Sequence, residues 1–186
     1  KGKAGDRYAM AYLNNVKESN VTINYATNTA TPANYKDKVN GVYTHDCITG
    51  AVYGGAENGH VNGDANITLT KGLVGHAIYG GGKGKGMYIP SGSTEEVYSL
   101  TAGKVYGNTF IDVNGGYVVR SVFGGGNLGS VGKGNYIGHG ETLAGASAHD
   151  STVVANSGRT YINIMGGQLG WLKNSEPGGV FKDGIP

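Results

Sequence analysis

A short phrase recurs along this chain: a β-branched residue, an aromatic residue, then two or three glycines. It appears as Val52, Tyr53, Gly54, Gly55 in ITGAVYGGAENGHVNG, as Ile78, Tyr79, Gly80, Gly81 in LVGHAIYGGGKGKG, and as Val122, Phe123, Gly124, Gly125 in YVVRSVFGGGNLGSVGKG. A weaker copy, LTAGKVYGN, sets Val105 before Tyr106 with one glycine after it. Self-similarity constrains a chain more than local propensity does, because each copy is a unit that must bury its apolar face against its neighbours.

A second phrase, an alternating strand, occurs as NITLTKG from Asn66, NTFIDVNGG from Asn108 and RTYINIMGG from Arg159. Ile67 and Leu69, Ile111 and Val113, and Ile162 and Ile164 hold matching alternate positions, so each pair points to one face of its strand. The steps 78 − 52 = 26 and 105 − 78 = 27 residues predict coils of about 26 residues in a right-handed parallel β-helix, or β-solenoid. The expected core is Val52, Ile67, Leu69, Ile78, Val105, Ile111, Val113, Val122, Ile162 and Ile164. The alternative is an antiparallel β-sandwich with hairpins at the Asn-Gly pairs beginning at Asn40, Asn58, Asn62 and Asn114.

Two excursions interrupt the regularity, residues 87–99 with Pro90, Glu95 and Glu96, and residues 135–157, where a degenerate coil could hide. Residues 1–40 repeat poorly and read as an N-terminal cap or a worn first coil, leaving 41–186 as the repeat region. The absence of an initiator Met and of a terminal cap points to a piece of a longer parent protein.

On VYGGAENGHVNG, AIYGGGKGKG, VFGGGNLGSVGKG and the strand phrase, the sequence resembles the glycine-rich right-handed β-helix repeats of large bacterial surface and secreted, adhesin-like proteins. The resemblance covers roughly residues 41–170. It implies an extracellular, elongated, non-catalytic structural or adhesive segment at the bacterial cell surface, with a host or environmental glycan, or a surface protein, as partner. The same scaffold serves polysaccharide lyases and glycoside hydrolases, which form the alternative function.

Composition narrows the rest. Gly is 36 of 186 residues but Pro only 4, against collagen and Pro-rich linkers. A net charge of +2 with dispersed Lys and Arg excludes a nucleic-acid surface. No apolar run is long enough to span a bilayer. The single cysteine, Cys47, rules out an internal disulfide.

Gly124, Gly126 and Gly129 match a dinucleotide-binding fingerprint, but SVGKGNYIGHG cannot supply the helix that such a loop needs, so no phosphate cofactor is expected. His45, His60, His76, His139 and His149 share no ligand spacing, and Asp64 does not recur as a calcium repeat would require, so no metal is expected either. No catalytic constellation is legible, although Arg120 and Lys104 could share a face as the basic part of a lyase site. Glycan contact is assigned to Tyr53, Tyr79, Tyr106 and Phe123, with Glu95, Glu96 and Arg120. Facing outward, the rings would form a stripe for sugars; turned inward or at a corner, they form a packing ladder, which the missing hydroxyl of Phe123 favours. The glycines after the rings are expected to form tight corners, with Gly54, Gly80 and Gly125 equally intolerant of alanine.

Overall fold

The computed structural model describes residues 15–26, 29–84, 87–89, 92–95, 97–98, 102–133 and 156–170. Among them there are strands and turns and no helix. The alternating segments become strands because they are rich in β-branched residues and their apolar side chains fall on one face: in Ala65–Lys71, Ala65, Ile67 and Leu69 are buried, while Asn66 and Thr68 are half-buried on the other face. Thr109–Val113 repeats the pattern with Thr109, Ile111 and Val113.

These strands stack in parallel and in register. Ser19–Asn24, Ala65–Lys71, Thr109–Val113 and Thr160–Ile164 form a four-stranded ladder in which Val21, Ile67, Ile111 and Ile162 align. Leu73–Val74, Tyr117–Val118 and Gln168–Leu169 form a second parallel ladder, and Val52–Tyr53, Ile78–Tyr79 and Val122–Phe123 a third. Asn15–Val16 pairs in parallel with His60–Val61, and single bridges join Val61 to Val105 and Val105 to Val131. The strand Ser19–Asn24 thus comes from the segment read as a cap, while residues 1–14 lie outside the described residues.

The expected single right-handed β-helix with uniform coils is not what the chain forms. Its described strands fall into six separate small sheets, four parallel and two antiparallel. The physical reason lies in the inserted segments. Stacked partners are 78 − 52 = 26 residues apart at one step but 122 − 78 = 44 at the next, and 162 − 111 = 51 in the long ladder. Part of the insertion after Tyr79 makes its own antiparallel pair, Met87–Tyr88 with Val97–Tyr98. Val105 consequently sits beside Val61 and Val131, not beside Ile78, and the 27-residue step was no structural repeat.

The sandwich alternative fails too, since the three larger sheets are parallel. Of the four Asn-Gly pairs only Asn40 and Gly41 turn a hairpin, between Lys38–Val39 and Val42–Tyr43, with φ of 50° and 81° as a tight two-residue turn requires.

The main core gathers Ile23, Val52, Ile67, Leu69, Val74, Ile78, Ile111, Val113 and Val118. Leu73 is covered on its own side by Ala30 and Tyr35, whose hydroxyl donates to the Gly75 carbonyl at 3.2 Å. Three expected core members differ. Val122 is only partly buried, and Ile162 and Ile164 are 43% and 50% exposed. They belong to the last strands of their ladders, and no described strand lies beyond to cover them.

Candidate functional site

Two-residue strands decide the orientation of the aromatic row. Val52 and Ile78 turn into the core, so Tyr53 and Tyr79 turn out, and Phe123 follows beside Val122. The rings stack in series, Tyr53 on Tyr79 at 5.0 Å and 8°, Tyr79 on Phe123 at 4.9 Å and 16°. This spacing is that of neighbouring strands, so Tyr79 spends both faces on its neighbours and Tyr53 and Phe123 spend one each. A sugar stacks on a ring face, and the row offers chiefly edges. The two ends of the row are the exceptions, since Tyr53 and Phe123 each stack on one side only, and Phe123 is 46% exposed. Beside Tyr53, Glu57 accepts a hydrogen bond from Lys83 at 2.9 Å, and this contact raises the lysine's pKa.

Tyr106 is not in the row. Its ring meets His60 edge-on at 5.3 Å, with the Lys104 ammonium 5.0 Å from its centroid. Burial, then the charge of Lys104, lowers the pKa of His60, and burial lowers that of Lys104. The buried Lys104 shares no open face with the exposed Arg120, so the basic pairing read from the sequence does not form. Glu95 is exposed, its backbone N–H donating to Ser93 Oγ at 3.0 Å. Glu96 lies outside the described residues, as do Pro90, His139 and His149.

A second ring stack went unread in the sequence. Phe110 and Tyr161 stack at 4.9 Å and 4°. They occupy the outward register position that Asn20 and Asn66 hold in the preceding strands. The signal was available, since both rings precede the inward isoleucine of the strand phrase.

Below these rings the column becomes polar. Asn66 Nδ2 donates to Asn20 Oδ1 at 3.0 Å, and Asn20 Nδ2 donates to Glu18 Oε1 at 2.8 Å. Beside this chain of amides opens a groove of about 480 Å³ lined by Lys17, Glu18, Asn62, Gly63, Asp64 and Asn66. Backbone bonds hold its walls: Asn62 N–H to the Val16 carbonyl and Gly63 N–H to that of Lys17, both 2.8 Å, and Ser19 N–H to that of Asp64, 3.1 Å. Asp64 Oδ1 accepts from the Asn108 backbone N–H at 2.7 Å, fixing the carboxylate at the corner.

The glycine fingerprint serves packing. The N–H groups of Asn127 and Leu128 donate to the carbonyls of Gly82 and Lys83 at 3.0 and 2.9 Å, so they are not gathered around an anion. His45 Nδ1 contacts Thr29 Oγ1 at 3.2 Å, whereas the Cys47 thiol donates to the Tyr35 carbonyl at 3.5 Å, and burial with the Asp46 charge raises that thiol's pKa. Among the described residues no three His, Cys, Asp or Glu side chains gather as metal ligands would, and no helix is long and apolar enough to cross a membrane. The chain matches no protein-family model, no curated protein and no solved structure.

Proposed function

We propose that the chain is a non-catalytic structural and adhesive segment of a large bacterial cell-surface or secreted repeat protein. The observation that carries this reading is the closeness of successive passes. An added Cβ at Gly55 would stand 2.7 Å from the Gly82 nitrogen, and one at Gly81 2.7 Å from the Gly126 nitrogen. Contacts this close hold successive glycine corners against one another, and the in-register parallel ladders beside them repeat their outward side chains in short columns. The outward columns of rings and amides are what such a segment would present to glycans or proteins at the cell surface.

The test is incubation with a panel of neutral and anionic polysaccharides, followed by reducing-end and unsaturated-product assays. No turnover above a buffer control is expected. Turnover that disappears in Arg120→Ala or Glu95→Ala would replace this reading with a polysaccharide-cleaving one.

A further inference from the structure

Resting on the adhesive reading, we propose that the corner groove of Lys17, Glu18, Asn62, Asp64 and Asn66 is the ligand site, and that it takes a short neutral oligosaccharide. Its size falls in the range of small-ligand clefts, roughly 300–1,000 Å³, against the groove's 480 Å³.

The bonding inventory then selects the ligand. One of the two amide N–H groups of Asn66 is engaged by Asn20 and one of those of Asn20 by Glu18, which leaves a second N–H of Asn66, its carbonyl oxygen and a Glu18 carboxylate oxygen with bonding capacity. Asp64 commits Oδ1 to Asn108 and retains Oδ2. Lys17 and Asn62 add donors. Planar acceptors beside a few donors suit vicinal hydroxyls, each of which both donates and accepts. The internal bonds orient the planar groups before a ligand arrives, which lowers the entropic cost of binding.

Two carboxylates against one ammonium leave the groove with a negative balance, which disfavours uronates and sulfated sugars. Calcium wants six to eight oxygens, and two carboxylates, one already engaged with Asn108, fall short of that. The aromatic row is the weaker candidate, because its ring faces are turned to each other.

The experiment titrates the chain, followed by NMR of side-chain amides and by calorimetry, with gluco-, manno-, xylo- and N-acetylglucosamine oligomers of two to four units. Oligogalacturonate is the charged comparator, and each titration is run with and without a chelator. One neutral series should bind saturably, shift the Asn62 and Asn66 amide signals, ignore the chelator and lose at least tenfold in affinity in Asn62→Ala and Glu18→Ala. Phe123→Ala should leave the affinity within twofold. Lys17→Ala, on an exposed side chain, checks the donor side without disturbing the fold.

Sugar binding that survives Asn62→Ala and Glu18→Ala but falls in Phe123→Ala would overturn the groove assignment and leave the adhesive reading standing. Preference for oligogalacturonate, loss of binding with the chelator, or binding of no probe would each overturn the proposal. The non-catalytic reading fails separately, on polysaccharide turnover.

Discussion

The two ends of the long ladder present the same kind of residue in the same register and treat it oppositely. In one column stand Ile23, Leu69, Val113 and Ile164, with exposures of 4%, 0%, 0% and 50%. At the first end, Tyr25 and Ile48 pack against the cluster that contains Ile23. At the last, Ile162, Ile164 and Met165 are exposed on or beside the final strand, as is the outer ring Phe123 of the neighbouring ladder. Alternation decides which face a side chain takes, but burial in a stacked fold also needs something on both sides.

The glycines separate the covered passes from the last one most clearly. Gly55, Gly81 and Gly125 hold equivalent places after the ring residue, yet a Cβ would strike the following pass at the first two and would meet nothing within 4 Å at Gly125. Gly81→Ala should cost about 2–3 kcal/mol through forced displacement of the next pass. Gly125→Ala should stay within about 0.5 kcal/mol. Chemical denaturation of the two variants measures the difference, and equal costs would mean that the last pass is covered as well as the others. The equal intolerance expected of Gly54, Gly80 and Gly125 is thereby corrected for the third.

A smaller effect is expected at Thr109, fully buried, whose hydroxyl donates to the Gly124 carbonyl at 2.6 Å. Thr109→Val should cost about 1–2 kcal/mol by leaving that carbonyl without its partner, while Thr160→Val, exposed on the last strand, should cost little. Thermal melts of the two variants compare the ends once more.

The smallest effect is in pH dependence. The pKa of the buried His60 is lowered in the folded state from its ordinary 6.5, so the unfolded chain binds the proton more readily. The stability from this histidine is present above pH 6.5 and is lost as pH falls through its lower folded pKa. A Tm series downward from pH 7.5 should therefore decline less steeply for His60→Leu than for the unmodified chain.

Much of the fold's chemistry was legible. The inward partners Ile67 and Ile111, the stacking of Tyr53, Tyr79 and Phe123 in series, and the Asn40 and Gly41 turn follow from period-two alternation, the repeated phrase and turn chemistry, whereas the packing ladder expected inside or at a corner stands on the outward face. The stacking step was not legible. Val105 and Tyr106 copy the phrase VY, but an insertion with its own antiparallel pair precedes them, and sequence spacing cannot tell an inserted loop from another coil. Nor could spacing show the groove, because Lys17 and Glu18 meet Asn62 and Asp64 only through pairing of segments some 45 residues apart, as Asn15 pairs with His60. The aromatic row drew the functional reading because rings are conspicuous in a sequence, whereas the use of their faces depends on the distance between strands.

Register neighbours on both sides, and not alternation alone, make a core residue in this fold. Ile111 and Ile162 test it most directly, being the same residue type, adjacent in one ladder, with exposures of 1% and 43%. Equilibrium urea denaturation of Ile111→Ala and Ile162→Ala should give losses of about 3 kcal/mol and less than about 1 kcal/mol respectively. Equal losses near the larger value would contradict the claim, and would mean that the last pass of the stack is as deeply covered as the one before it.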